Sequence, residues 1–83
     1  MNIIFSNRSF RQLSSLEKEI QKRIKDKLDF FISQENPLIF AEKIKDSRFG
    51  EWRYRIGEYR VIFDLEDINI IILKVGHRRD VYK

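Results

Sequence analysis

The chain has 83 residues, 42% hydrophobic and 13% aromatic, which is enough apolar side chain for one small packed domain and excludes a disordered chain. It has no cysteine, so disulfides and thiolate chemistry are excluded, and no charged-then-apolar leader or membrane-length apolar run; the chain reads as cytoplasmic. Seventeen Lys and Arg face thirteen Asp and Glu, a net charge of +4 that rules out a general basic coat, so a phosphate-seeking surface has to be assembled by folding.

Asn2-Ile3-Ile4-Phe5 is a β-branched and aromatic run that predicts a first strand. Ser6 or Asn7 then caps a short helix carrying Phe10 and Leu13 on one side. Ser14 and Glu17 have capping-box spacing for a second helix. Its stripe is Leu16, Ile20, Ile24, Leu28 and Phe31, with Lys18, Lys22, Lys25 and Asp29 largely off it. The two helices predict an antiparallel hairpin over one side of a sheet. Asn36-Pro37 ends the second helix. Leu38 to Lys45 is expected to form a helical turn and an extended link anchored by Leu38, Phe40 and Ile44.

From Glu51 the period changes to two. Trp52, Tyr54 and Ile56 alternate with Arg53 and Arg55, the pattern of a half-buried strand. Gly57-Glu58 fits a type II′ turn, and Tyr59, Val61, Phe63 and Leu65 continue the apolar face on the returning strand. Glu66-Asp67 reads as the next turn, and Ile68 to Val75, apolar on both faces except at Asn69 and Lys74, as a strand placed centrally in the sheet. The order β-α-α-β-β-β predicts one α+β domain over residues 1–83, a small mainly antiparallel sheet with an N-terminal helical hairpin on one face.

The hairpin register carries chemistry. With Gly57 and Glu58 as the loop, Arg55 opposes Arg60 and Arg53 opposes Ile62, so three guanidiniums share the face away from the core. Directly opposed like charges are destabilising, whereas an anion between them turns the repulsion into binding. The alternative is a solvated strand face whose arginines pair with Glu51, Glu58, Asp64 or Asp80. The second feature is Gly76-His77-Arg78-Arg79-Asp80-Val81-Tyr82, a basic cluster closed by an aromatic. Arginine holds phosphate and tyrosine stacks on an unpaired base, which suits RNA; a charged tail with Tyr82 packed on an edge is the plainer reading. His77 is the only histidine, so a histidine-pair nuclease mechanism cannot be built in one chain. No metal-ligand spacing, P-loop or dinucleotide fingerprint occurs, so no metal and no cofactor is expected.

Trp52-Arg53-Tyr54-Arg55-Ile56-Gly57-Glu58-Tyr59-Arg60-Val61-Ile62-Phe63, followed by Val75-Gly76-His77-Arg78-Arg79-Asp80-Val81-Tyr82, resembles the RelE/ParE toxin family, and the resemblance spans essentially the whole chain. It implies a RelE-like toxin of a type II toxin–antitoxin system, an mRNA interferase acting in the ribosomal A site. The ribose 2′-hydroxyl would attack the adjacent phosphorus without a metal, leaving a 2′,3′-cyclic phosphate and a free 5′-hydroxyl. The resemblance gives catalytic roles to Arg60 (holding the scissile phosphate), Arg78 (stabilising charge and the leaving oxygen) and Tyr82 (stacking on a nucleobase). It gives RNA-binding roles to Arg53 and Arg55, with His77 and Arg79 in the flanking motif. One departure matters: Arg55 stands where the best-known member has a lysine suggested as general base, and arginine effectively cannot lose its proton.

The partners implied are a cognate RelB-like antitoxin, the ribosome and mRNA, and promoter DNA only through the antitoxin complex, with no membrane. Two other readings stay open. One is a ParE-like toxin that poisons DNA gyrase without cutting RNA, and the other is a non-catalytic RNA- or protein-binding module, which would bind RNA in a salt-dependent way and leave it intact.

Overall fold

The computed structural model describes residues 1–82, and within them two helices and five strands follow in order: β1 (Asn2–Phe5), α1 (Asn7–Ser14), α2 (Lys18–Ile32), β2 (Ala41–Lys43), β3 (Trp52–Ile56), β4 (Tyr59–Glu66) and β5 (Asn69–His77). The strands form one sheet in the order β1-β5-β4-β3-β2, with β1 parallel to β5 and every other pairing antiparallel. This is the α+β arrangement expected, with one strand more. The addition, β2, pairs Ala41 with Tyr54 and Lys43 with Trp52 at the sheet edge. Three residues are too short to show a period, so pairing with β3 defines this strand where a link was expected.

The β3–β4 hairpin has the register expected from the sequence: Ile56 opposes Tyr59, Arg55 opposes Arg60 and Arg53 opposes Ile62. Of the two loop residues only Gly57 has a positive φ, at 58°, as a type II′ turn requires. The next turn is displaced by one residue. Glu66 pairs with Asn69, so Asp67 and Ile68 form the loop, with Asp67 at φ 54°. Aspartate tolerates the left-handed region, and this places Ile68 at the tip, 64% exposed, instead of in the strand. Along β4–β5 the register jumps: Ile62 opposes Lys74 but Phe63 opposes Ile72, leaving Leu73 as an extra residue in β5.

The helices cover one face of the sheet. Ile24, Leu28 and Phe31 of α2 and Leu13 of α1 pack on Tyr54, Ile56, Val61, Phe63, Ile70, Ile72 and Val75. Tyr54 is sandwiched between Phe31 and Phe63, with ring centroids 4.4 Å from each, and its hydroxyl donates to the Pro37 carbonyl at 2.6 Å. In α1 Ser9 is buried along with Leu13, its hydroxyl donating to the Ile72 carbonyl at 2.9 Å, whereas Phe10, expected on that side, is 60% exposed. A small residue lets α1 lie close against β5.

Ser6 caps α1, accepting the Ser9 N–H at 3.1 Å. The capping box does not form. Ser14 is still helical, and the Ser15 N–H bonds the Arg11 carbonyl, so Ser14 cannot take the extended cap conformation. Gln21 Nε2 ties the turn instead, donating to the carbonyls of Ser14 and Leu16. α2 stops at Ile32, short of Asn36-Pro37, where Ser33 donates its hydroxyl back to the Phe30 carbonyl at 2.6 Å. Leu38 packs on the core and Ile44 is buried, but Phe40 remains 47% exposed against Phe30 and Phe31.

Candidate functional site

Side chains alternate across a strand, so the residues between the core positions project from the helix-free face. The pairings put Glu42 of β2, Arg53 and Arg55 of β3, Arg60 and Ile62 of β4, and Lys74 and Gly76 of β5 on that face. A second, smaller apolar cluster sits there: Ile44, Ile62 and Val81 are buried, with Phe49 and Tyr82 packed against them. The loop after β2 and the end of the chain close over Ile62 and form a floor beside the arginines.

The chain end reaches this floor by reversing after β5. The N–H groups of Asp80 and Val81 both donate to the His77 carbonyl, at 2.8 and 3.0 Å. Val81 settles over Gly76, where a β-carbon would lie 3.6 Å from the Val81 backbone, and is 1% exposed. Tyr82 is thereby carried to Arg53, whose Nη1 donates to its hydroxyl at 2.7 Å, and its ring meets Phe49 edge-on at 5.1 Å.

Arg60 lies at the centre. It is only 7% exposed, and its Nη1 donates to the carbonyls of Gly57 and Tyr59 at 3.0 and 2.9 Å. Among the described residues no carboxylate lies within ion-pair distance of it. Burial, and then the neighbouring charges of Arg55, Arg53 and Arg78, push its pKa below the usual guanidinium range, with Glu42 opposing. It remains a cation, one that its surroundings leave short of negative charge.

The other cations are partly neutralised. Arg53 Nε lies 3.0 Å and Arg55 Nη1 3.7 Å from the Glu42 carboxylate, and Arg78 Nε lies 2.8 Å from Glu58. The Tyr82 hydroxyl and Glu42 raise the Arg53 pKa against the opposing effect of burial. His77 is set apart from this group. It opposes Tyr59 in the register and meets its ring edge-on at 5.6 Å, which places it on the helix-covered face, at its rim. The Arg79 backbone N–H donates to His77 Nδ1 at 3.2 Å, and Arg79 itself is exposed. Arg53, Arg55, Arg60, Arg78 and Tyr82 are thus brought together, while His77 and Arg79 stand at the margin.

Two contributors had no signal in the sequence. Glu42 lies in the segment read as a link, and only β2–β3 pairing sets it against Arg53. Val81 is one valine in a charged tail, and its burial follows from a reversal that local pattern does not encode. Among the described residues no three His, Asp or Glu side chains gather into a group suited to a metal ion, and no helix is long and apolar enough to cross a membrane.

The arrangement offers a cluster of guanidiniums, an aromatic ring beside it and two carboxylates, Glu42 and Glu58, paired with its outer members. The family model described as the ParE toxin of the type II toxin–antitoxin system parDE matches residues 3–82. Among solved structures, the toxin–antitoxin complex RelBE2 from Mycobacterium tuberculosis contains a chain 25% identical, with a TM-score of 0.79, covering 93% of this chain and 96% of that one. The RelB–RelE antitoxin–toxin complex from Methanococcus jannaschii gives 25% identity and a TM-score of 0.72, covering 95% and 94%. The isolated RelE toxin of E. coli, at 18% identity and a TM-score of 0.71 over 90% and 81%, shares the fold. A search of curated protein sequences gives no match.

Proposed function

The chain belongs to the ParE toxin family of type II toxin–antitoxin systems, within the RelE/ParE superfamily, and from that premise we propose that it is a metal-independent endoribonuclease that cleaves mRNA in the ribosomal A site. The observation that carries this reading is Arg60, a buried guanidinium without a carboxylate partner among the described residues, ringed by Arg53, Arg55 and Arg78 and flanked by Tyr82. A scissile phosphodiester supplies the missing negative charge, and its two non-bridging oxygens match a guanidinium fork.

In this reading Arg60 holds the phosphate and Tyr82 stacks on the adjacent base. Arg53 and Arg55 hold the backbone, and His77 and Arg79 meet RNA at the margin. The 2′-oxygen attacks phosphorus as the P–O5′ bond breaks. Glu42, the carboxylate already within the arginine cluster, accepts the 2′-hydroxyl proton that Arg55 cannot take. Arg78 stabilises the departing 5′-oxygen, which takes a proton from solvent, and the products are a 2′,3′-cyclic phosphate and a 5′-hydroxyl. Pre-set cations facing the developing charge are the main source of acceleration.

The partner is a cognate RelB-like antitoxin, in keeping with the M. tuberculosis and M. jannaschii chains solved as toxin–antitoxin complexes. Binding of promoter DNA would come through that complex, and the site of action is the cytoplasm. A second reading, inhibition of DNA gyrase, is favoured by the ParE description of the matching family. Primer extension on ribosome-bound message tests the two. Breaks within the A-site codon that vanish in Arg60→Ala support the ribonuclease, whereas intact message with DNA damage overturns it in favour of gyrase.

A further inference from the structure

Beyond Phe49 the same face of the sheet holds a second groove. The positive φ of Gly50, 133°, lets the loop after β2 press onto the sheet, where a β-carbon would come within 2.7 Å of Ile62 Cγ2. The extra residue Leu73 lies against it, 3.1 Å from that same position. The result is a groove of about 500 Å³ lined by Ser6, Arg8, Arg48, Phe49, Leu73 and Lys74. Three of the six are cations contributed by α1, the loop and β5. Two carboxylates stand near them: Asp46 engages Arg48 through Nε and Nη2, which leaves Nη1 for another acceptor, and Asp64 Oδ1 lies 3.6 Å from the Gly50 β-carbon position.

This groove lies in line with the arginine site. Gly76 opposes Arg60 and Lys74 opposes Ile62, so the two positions are two residues apart on β5, about 7 Å at the usual strand rise. Phe49 forms one wall of the groove and touches the Tyr82 ring, so aromatic surface runs from one site to the next. An aromatic face beside convergent cations is the combination that holds a single-stranded nucleotide, base on ring and phosphate on guanidinium.

We infer that the groove between Arg8 and Arg48 is a second nucleotide subsite, binding the phosphate of a nucleotide flanking the one at Arg60, with Phe49 offered to its base. This rests on the ribonuclease reading and adds to it a minimum substrate length: a dinucleotide fills only the Arg60–Tyr82 site, and a longer strand fills both.

Binding of two uncleavable oligonucleotides, a dinucleotide and a hexanucleotide with 2′-deoxyribose at every position but the last, tests it by fluorescence anisotropy across a KCl series. The wild-type protein is expected to bind the hexanucleotide at least about tenfold more tightly in low salt, as one added stacked base and its phosphate provide. Arg8→Gln/Arg48→Gln should abolish most of that gain and leave dinucleotide affinity within about twofold. The slope of log affinity against log salt should also become shallower by roughly 0.7 for each phosphate that the variant no longer neutralises. Both arginines are exposed, and an unchanged melting curve for the variant checks the fold. Equal losses on both oligonucleotides, or none on the hexanucleotide, would overturn the subsite alone. A wild-type protein that binds neither oligonucleotide overturns the subsite, while A-site breaks in ribosome-bound message decide the ribonuclease reading separately.

Discussion

Arg53 and Tyr82 meet across 29 residues of chain through a 2.7 Å hydrogen bond from guanidinium to phenol oxygen. The contact joins a strand fixed by the hairpin register to the segment after β5, which a short reversal and the burial of Val81 hold against the sheet. Because Arg53 also contacts Glu42, one guanidinium sets both the aromatic ring and the carboxylate of the proposed site. Its two contacts have separable consequences.

The ring and the hydroxyl of Tyr82 do different work. Tyr82→Ala removes the stacking surface, worth about 1–3 kcal/mol per base, so RNA affinity should fall about 5- to 150-fold. Tyr82→Phe keeps the ring against Phe49 and loses only the bond from Arg53, so most of the affinity should remain. Anisotropy with a short uncleavable RNA checks this, and equal losses for the two variants would show that the ring does not stack.

Arg60 is buried yet, among the described residues, bonded only to carbonyl groups, so its worth to the fold is modest and its worth to an anion is large. Arg60→Ala should reduce cleavage by about 100-fold or more, corresponding to the 2.7–4 kcal/mol that one preorganised donor typically supplies. The same substitution relieves repulsion from Arg53, Arg55 and Arg78, which offsets the missing carbonyl bonds in the stability of the fold. End mapping of cleaved message alongside a melting curve distinguishes a folded inactive variant from an unfolded one. A folded, fully active Arg60→Ala protein would remove this residue from the mechanism.

Glu42→Gln separates a proton acceptor from a simple counter-charge. Removing a negative group beside the phosphate should leave RNA binding equal or tighter, while cleavage falls by roughly 10²–10⁴-fold if Glu42 takes the 2′-hydroxyl proton. Single-turnover rates and binding constants measured together make the test. Faster cleavage in the variant would show that Glu42 only occupies the phosphate's place.

How much of this could be read from the sequence follows physical lines. The β3–β4 hairpin was legible because Gly57 admits one turn type and a period of two leaves one register that buries Tyr54, Val61 and Phe63 together. The α2 stripe was legible because Ile20, Ile24, Leu28 and Phe31 recur at the three- and four-residue spacing of one helix face. Ser14 and Glu17 misled because a capping box is a pattern of four residues, and the tight turn that keeps Ser14 helical is a tertiary matter. Phe10 and Ser9 show the same limit: hydrophobicity favoured the phenylalanine, but close approach of α1 to β5 selected the small residue. The arginine face was visible in the alternation. Glu42 and the floor under Tyr82 were not, since each depends on contacts between segments far apart in the chain.

Tyr54 supplies a pH dependence. Burial raises its pKa from 10.0 to about 12. The folded chain therefore keeps this proton between pH 10 and 12 where the unfolded chain has released it, so stability is complete below about pH 10 and declines as pH rises. The shift corresponds to about 2–3 kcal/mol lost by pH 12. Urea midpoints from pH 8 to 12 should show this fall in the wild-type protein. Tyr54→Phe should start lower, without the bond to the Pro37 carbonyl, and show a shallower decline. Parallel curves for the two proteins would mean that another group governs the alkaline loss.

Val81 tests whether the chain end is a local device. Its side chain is buried against Ile44 and Ile62, and the backbone beside it is held by bonds to the His77 carbonyl. Val81→Ala removes two methyl groups, about 1.5 kcal/mol of burial. Were that cost borne by global unfolding, the melting temperature of so small a domain would drop by roughly 6–12 °C. The helix-side core, however, contains no residue of the chain end, so the loss should appear as local opening instead. The expected result is faster hydrogen exchange at the Asp80 and Val81 amides, a melting temperature lowered by less than that range, and cleavage reduced about tenfold as Tyr82 and Arg78 lose their common support. Unchanged exchange at those two amides with normal cleavage would show that the bonds to His77 hold the reversal without Val81, and that burial of this side chain does not position the tyrosine.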